Sequence, residues 1–514
     1  MPVSKSSAES SESLQPDSEA NVTDESSLPR PGKKKRTKRR RAFLAFVVVM
    51  HVLGAITSIR AVMSTRTSQG AIAWAISLNT VPYVAVPAYW VFGQSKFDGY
   101  DLLRRSEHLA QSEAAQNAIR ILKEENLLLV SHSPEEASHA KLLRNISRLP
   151  ITTGNSARLL VDGEETFDAI FEAIEQANDY ILFQFYILRD DNLGQKFKQV
   201  FLEKASEGVR VYVLYDELGS KDLSKAYINE LKSAGVEILP FNTTQHGNRF
   251  RLNFRNHRKI VVVDGDIAFV GGHNVGDEYL GHHPVLTPWR DTHVALQGPI
   301  VQCIQVPFLE DWAWASGETP TLDWIPKRAP DGDVASACIP SGPADTLETG
   351  TLWFLHAINT ARERLWIVSP YFVPDEQLMS ALQLAALRGV DVRVLIPQNP
   401  DQVMVYLSGI SYLQEAKEAG VKIYRYQPGF LHQKVILIDD ETAAIGTANL
   451  DNRSMRLNFE ITMLMFDHEF AAEVEAMLEA DFAKSELARV EEYTESSLPF
   501  RFLVRASRLM APVQ

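Results

Sequence analysis

The chain has 514 residues, 45% of them hydrophobic, enough apolar material for more than one core and, by length, for roughly two to four domains. Its formal charge of −13 at pH 7 runs against a protein that coats nucleic acid, since phosphate-backbone binding leaves a basic footprint over the domain. Only Cys303 and Cys338 are present, too few for a disulfide framework, and they read as buried small hydrophobes.

Residues 1–41 form a leader. The Ser-, Glu- and Asp-rich part to residue 29 holds too little apolar material to offset the entropy of ordering, and is expected to be disordered. A basic run follows, Lys33, Lys34, Lys35, Arg36, Lys38, Arg39, Arg40 and Arg41. Residues 42–59 and 67–95 then carry no Asp, Glu, Lys or Arg, each long enough to span a hydrocarbon core. Together 42–95 reads as two transmembrane helices, with Trp74, Tyr83, Tyr89 and Trp90 suited to interfaces and kinks expected at Pro82 and Pro87. The alternatives are a buried soluble hairpin or a signal peptide with a loop, although no small-x-small site closes the first stretch. The positive-inside rule puts the basic run in the cytoplasm, and two crossings return the chain there.

Residues 96–150 read as a helical connector. From residue 151, short apolar runs alternate with helical patterns: strands are expected at 180–186, 209–215, 260–263 and 268–270, with helices at 165–177 and 193–205. This is α/β grammar. A Pro- and Gly-containing stretch, 327–350, reads as a linker, after which the grammar resumes with helices at 352–362 and 378–388 and strands at 365–369 and 390–396. The chain therefore reads as two similar repeats, 151–326 and 351–496, with a C-terminal tail at 497–514.

The strongest feature is a duplicated constellation. His257-Arg258-Lys259 is followed by Asp264, Gly271, Gly272 and Asn274; His432-Gln433-Lys434 is followed by Asp439, Gly446, Thr447 and Asn449. Counted from the histidine, Lys, Asp, Gly and Asn fall at 2, 7, 14 and 17 residues in both copies. If His and Lys open a strand, residues two apart share a face, so imidazole and ammonium converge while Arg258 or Gln433 points away. Two such half-sites can hold a phosphodiester: one imidazole attacks phosphorus, the other protonates the leaving oxygen, and Lys259, Lys434, Asn274 and Asn449 stabilise the developing charge. One imidazole is expected neutral and the other protonated. Asp264 and Asp439 belong to the constellation as supporting members, each where a strand ends and where an aspartate is often only a turn former.

A nucleophilic imidazole benefits from a carboxylate that fixes its tautomer, and Asp291 and Glu460, each ahead of an apolar run, are the candidates. His273, His282, His283 and His293 lack zinc-type spacing, so no metal is expected; no phosphate-loop or dinucleotide fingerprint appears either, so no cofactor is expected.

Both copies resemble the signature of the phospholipase D superfamily. The resemblance narrows to bacterial cardiolipin synthases from the hairpin to the C-terminus, through Val213-Leu214-Tyr215-Asp216, Trp289-Arg290-Asp291, Ser369-Pro370-Tyr371-Phe372-Val373-Pro374 and Asp451-Asn452-Arg453-Ser454 running into Asn458-Phe459-Glu460. It implies an α/β fold of two similar phospholipase D-type domains packed face to face behind an N-terminal transmembrane helical hairpin, with the site at their junction and no required metal. It implies condensation of two phosphatidylglycerols into cardiolipin and glycerol through a phosphohistidine at a bacterial inner membrane. It also implies that each histidine is steadied by the opposite repeat, His257 by Glu460 and His432 by Asp291, with His257 as the attacker. A hydrolytic phospholipase D or another phosphatidyltransferase shares these motifs, and a tethered nuclease is disfavoured by the acidic charge. Gln184 stands where such synthases commonly carry Glu, which is expected to alter acceptor handling, and Thr447 stands where the first copy has Gly272.

Overall fold

The computed structural model describes residues 33–65, 67–93, 97, 100, 113–241 and 253–514; the acidic leader lies outside them. The helix Lys33–Ser64 carries the basic run and the first apolar stretch without interruption, so residues 33–41 are helical and not part of a disordered leader. Among the described residues it is the one helix long and apolar enough to cross a membrane. The second apolar stretch is two shorter helices, Ser68–Thr80 and Pro82–Phe92, and not a single transmembrane helix. The cause is Pro82: it has no N–H to continue the ladder and suits the first turn of a new helix, while Val81 before it leaves helical geometry at φ −132° and ψ 59°. The three helices pack closely. A Cβ on Gly54 would lie 2.2 Å from the Leu78 carbonyl oxygen, an approach that needs glycine. Tyr89 is fully buried against Trp74 within this bundle, its hydroxyl 3.1 Å from Ser64 Oγ at the end of the long helix.

The connector contributes the helices Glu113–Glu124 and Pro134–Ser147. Beyond it, each repeat builds a mixed sheet. In the first, strands run in the order Glu237–Phe241, Arg210–Asp216, Tyr180–Phe185, Ile260–Val263, Ile267–Gly271, Thr292–Gln297 and Thr152–Val161. In the second, the same order is Lys422–Tyr426, Asp391–Pro397, Arg364–Val368, Val435–Ile438, Thr442–Gly446, Asn458–Phe466 and Val334–Ser341. The motif strands are apolar at every position because both faces are covered, the pattern of a buried strand. Outer faces carry the helices Asp162–Glu175 and Asn192–Ser206 in one repeat and Thr349–Thr360 and Glu376–Leu387 in the other. The inner faces share one core, in which Val262, Val270 and Leu296 join Val435, Leu437 and Met463 between the helices Ile300–Ser316 and His468–Phe482. The two sheets thus pack face to face.

Two expected boundaries shift. Residues 327–350 are not simply a linker: Val334–Ser341 is a full strand, antiparallel to Asn458–Phe466 from Ala335↔Phe466 to Ser341↔Glu460. It also pairs with Thr152 and Asn155, whose strand turns from one sheet to the other across an irregularity in register. Small Ala, Ser and Cys residues hid this strand from a reading based on large apolar side chains. The tail likewise contains the helix Leu498–Arg508, docked through buried Val504.

Candidate active site

His257 follows the short strand Arg255–Asn256, which pairs in parallel with Asn458–Phe459, and its backbone N–H donates to the Phe459 carbonyl at 2.9 Å. His432 follows Phe430–Leu431, which pairs in parallel with Trp289–Arg290, and its N–H donates to the Arg290 carbonyl at 2.8 Å. Each histidine is therefore delivered by its own repeat and stitched to the other. The side chains repeat the crossing: His257 Nδ1 lies 2.9 Å from Glu460 Oε2, and His432 Nδ1 lies 2.7 Å from Asp291 Oδ2. A carboxylate on Nδ1 fixes the proton there and leaves Nε2 with its lone pair free.

Both carboxylates are fully buried, and they are held differently. Glu460 also accepts from Thr447 Oγ1 at 2.6 Å, Ser454 Oγ at 2.8 Å and Asn458 Nδ2 at 3.1 Å. Asp291 accepts from the Thr292 N–H at 2.8 Å and presses on Gly272, where a Cβ would lie 2.0 Å from Oδ1. The Gly272/Thr447 departure thus has a function: one carboxylate needs empty space, the other a hydroxyl. Sequence reasoning named Thr447 as a departure and Ser454 and Asn458 within the stretches that carry the resemblance, but gave none of them a role toward Glu460; their closeness to it on a strand and its preceding turn was the available signal.

His257, His432, Asn274 and Asn449 line a solvent-open cleft of about 1600 Å³ between the repeats. Tyr186 packs its ring 5.1 Å from His257, and Trp289 packs 5.2 Å from His432. Asn274 is oriented by the Ile187 N–H at 3.1 Å and by the Tyr279 hydroxyl at 3.0 Å; Asn449 Nδ2 donates to Asp451 at 3.3 Å. Lys259 and Lys434 lie beneath the cleft, each buried, each donating to the carbonyl of its own histidine, at 2.7 Å for Lys259. Burial sets the protonation, with repulsion from the lysines adding to it at the two histidines. It pushes the His257 pKa down to about 4 against the pull of Glu460, holds His432 well below its ordinary value, and brings Lys434 down to about 8. For Glu460, burial works upward but His257 and Lys259 keep it below the ordinary carboxylate value. Both imidazoles are therefore neutral near pH 7, in place of the expected neutral and protonated pair; an anion placed between them favours protonation again.

Asp264 and Asp439 do not belong to the catalytic set. Both adopt left-handed backbone, φ 53° and 52°, at the far end of the motif strands. The Asp264 carboxylate accepts from the N–H groups of Asn178, Asp179 and Tyr180 at 2.7, 2.9 and 2.8 Å. Asp439 does the same for Arg362, Glu363 and Arg364 at 3.1, 2.8 and 3.0 Å. They fasten the strand that starts each repeat's core, a structural task that the fixed spacing conserves between copies. Gln184 is also displaced from its expected role. It is buried behind His257, donating to Asn256 Oδ1 at 2.9 Å and to Asp311 Oδ2 at 2.7 Å, and does not line the cleft. His273 and His293 pair with each other, Nδ1 to Nδ1 at 3.0 Å, behind Asp291.

The residues between His and Lys anchor the motif from below. Arg258 donates to Asp311 at 2.8 Å, and Gln433 shares Asp481 with Arg290, at 3.2 and 2.9 Å. Each half-site thus stands on a buried aspartate–arginine pair.

Comparison with known proteins agrees with this geometry. The family described as "Cardiolipin synthase, PLD-like domain" matches twice, over residues 170–287 and 354–482. Cardiolipin synthase A of Pseudomonas fluorescens is 49% identical over 468 residues, 91% of this chain and 97% of that one. The cardiolipin synthase A of Pseudomonas aeruginosa is 50% identical over 472 residues, 91% of this chain and 95% of that one. Among solved structures, the phosphatidylserine synthase of Haemophilus influenzae shares the fold, with a TM-score of 0.55 at 16% identity, over 73% of this chain and 99% of that one. At this identity and coverage the chain belongs to the cardiolipin synthases, the PLD-like family whose signature it carries in both halves.

Proposed function

We propose that the enzyme condenses two phosphatidylglycerols into cardiolipin and glycerol, with His257 as nucleophile and His432 as acid and base. The observation that carries the chemistry is the crossed pairing: two imidazoles in one cleft, each with Nδ1 held by a carboxylate of the opposite repeat. His257 Nε2 attacks the donor phosphorus, the bond to glycerol breaks, and His432, protonated on Nε2 once the anionic diester lies in the cleft, passes that proton to the departing oxygen. The hydroxyl of the second phosphatidylglycerol then gives its proton to His432 and attacks the phosphohistidine, breaking the P–N bond. Lys259 and Lys434 act from beneath the cleft and Asn274 and Asn449 from its walls, where charge builds on the phosphoryl oxygens.

The acceptor is read as lipid from the two relatives described above, both named cardiolipin synthase A, and from the long apolar helix, which concentrates enzyme and substrates in one plane. Incubating the full-length enzyme with labelled phosphatidylglycerol and separating the products tests this. Cardiolipin with equimolar glycerol is expected; phosphatidic acid alone would mean that water is the acceptor. The enzyme is membrane-associated. We read 42–95 as an anchor that enters and leaves on one side, 151–326 and 351–496 as the catalytic repeats, and the cytoplasm as their compartment, because the basic end of the first helix favours that side. A C-terminal reporter active only in the periplasm would overturn that orientation. No nucleic acid partner is proposed, since the charge is acidic overall.

A further inference from the structure

The C-terminal helix Leu498–Arg508 is apolar on two opposite faces, and the core of the second repeat takes only one of them. Val504, Ser507 and Ala511 are buried on that side, with Phe500 packed against the same core. On the other side Leu498, Phe502 and Leu509 are 77%, 75% and 81% exposed. Leu509 keeps helical backbone at φ −65° and ψ −21°, and positions four and eleven residues after Leu498 return to one side of a helix, so the three form a single stripe. Arg501 and Arg505 border it, resting on the ring and hydroxyl of Tyr493. A stripe of large apolar side chains bordered by arginines is what a helix lying in a membrane interface presents.

The position of this helix joins the stripe to both the cleft and the anchor. It packs beside the helix Val403–Ile410, whose first residues Val403 and Met404 are exposed, and Met404 lines the catalytic cleft. Leu218, also exposed, lines the cleft from the first repeat, so the mouth carries apolar side chains on both walls. The anchor arrives in the same region. Phe97 is buried 5.4 Å from Phe254 and 5.2 Å from Phe459, and the chain from Phe92, the end of the apolar bundle, to Phe97 spans at most about 18 Å. Asn253, next to Phe254, accepts from Arg453 at 3.0 Å, and the Arg453 N–H donates to the Gln514 carbonyl at 2.9 Å. A few side chains therefore separate the point where the anchor joins the catalytic body from the turn that follows the C-terminal helix.

We propose that Leu498, Phe502 and Leu509 form a second membrane contact, which enters the anionic bilayer surface and turns the mouth of the cleft toward the lipid. The inference rests on the anchor reading above and on a phospholipid substrate, whichever acceptor is used. A tether fixes how far the catalytic body can stray but not which way the cleft faces, whereas a second contact beside the cleft fixes both. The diester then reaches the histidines while the acyl chains stay in the bilayer. The flanking arginines select an anionic lipid surface over a second copy of this chain, because an interfacial helix gains from its buried apolar area and from attraction to anionic headgroups together.

Cys303 and Cys338 are buried, so in full-length Phe502→Cys enzyme a thiol-reactive fluorophore goes to the new position. In vesicles of phosphatidylglycerol and phosphatidylcholine, the fluorophore should be quenched by lipid spin-labelled high on the acyl chain and shielded from aqueous iodide. A fluorophore open to iodide and untouched by the spin-labelled lipid, on enzyme that stays with the vesicles, overturns the contact and leaves the anchor standing. Shielding from both quenchers assigns the face to protein, a second copy included, and overturns it too. Enzyme that leaves the vesicles sinks the anchor reading and this inference with it. In a second measurement, Phe502→Asp combined with Leu509→Asp should slow consumption of bilayer phosphatidylglycerol by about 10- to 100-fold, the scale of one large apolar side chain withdrawn from burial, and use monomeric short-chain phosphatidylglycerol within about threefold of wild type. Equal loss on both substrates, or on neither, overturns the contact, while the products formed judge the synthase reading separately.

Discussion

Asp291 and Glu460 do the same work on their histidines, but the structure predicts that neutralising them has unequal consequences. In Asp291→Asn the amide must replace one of two acceptors: Oδ2, 2.7 Å from His432 Nδ1, or Oδ1, 2.8 Å from the Thr292 N–H. An NH₂ at the second position opposes donor to donor in a dry site. At the first it forces His432 Nδ1 to accept, moving the ring proton to Nε2, where the reaction needs a lone pair. Either arrangement spoils the site, and wrong-tautomer variants of comparable triads lose about 10⁴ in kcat, so a loss of roughly 10³–10⁴ is expected. Glu460→Gln has an escape. The amide nitrogen can face Thr447, whose hydroxyl turns to accept it and donates to the Ile461 carbonyl, 3.3 Å away. The Gln oxygen then still accepts from His257 Nδ1 at 3.1 Å and from Ser454. What is lost is the charge and the closer of the two His257 contacts, 2.9 Å from the position the nitrogen takes, about 1.5–3 kcal/mol for a charged hydrogen bond, or roughly 10- to 150-fold in rate. Single-turnover rates of both variants with labelled phosphatidylglycerol, after circular dichroism shows each folded, read the difference. Equal losses, or a milder effect at Asp291, would refute the tautomer argument.

Gly272→Ala places a methyl 2.0 Å from Asp291 Oδ1, so the carboxylate must shift by about an ångström and turnover should fall by about 10²-fold, against a smaller fall in Thr447→Val, measured by the same assay. The kcat/KM profile should rise with pH as His257 loses its proton, near about 4, fall first as His432, held well below its ordinary value, loses the proton it must donate, and fall again as Lys434 loses its own, near about 8. Activity that climbs undiminished through pH 9 would show that the charge on Lys434 is dispensable. Asp264→Ala should cost about 1–2 kcal/mol of stability by removing the acceptor of three backbone N–H groups at the strand start, seen as a lower Tm, with kcat unchanged in enzyme that remains folded.

Much of this architecture is legible in the sequence because it is built from patterns a periodicity reading detects. The strand Ile260–Val263 is apolar at every position, and the helix Asn192–Ser206 carries Leu193, Phe197 and Phe201 at helical spacing. The strand Val334–Ser341 escaped because its side chains are small and its partners lie more than a hundred residues away, in Asn458–Phe466. At the site, the repeated spacing points to the histidines, lysines and asparagines without distinguishing duties. Spacing is equally rigid for Asp264, whose task is to hold a turn, and for Lys259, which works beneath the cleft. Only three-dimensional placement separates them. Gln184 shows the same limit: two residues from Tyr186, it would share that residue's face on a continuous strand, but the strand ends at Phe185, so Gln184 meets Asp311 while Tyr186 lines the cleft.

The crossing of the carboxylates makes the site and the inter-repeat interface one structure. Arg258 comes from the first motif and donates to the Glu460 carbonyl at 3.1 Å and the Ser341 carbonyl at 3.4 Å, both beyond the first repeat, while its charge is answered by Asp311. Arg290 comes from the first repeat and is answered by Asp481 of the second at 2.9 Å. Parting the repeats would leave Arg290 without its buried partner, a change that costs about 3–5 kcal/mol when one member of such a pair is removed. It would also take Glu460 from His257 and Asp291 from His432 at once. A half-site that drifts loses its orienting charge before it loses its histidine, so the symmetric chemistry is available only in the closed arrangement.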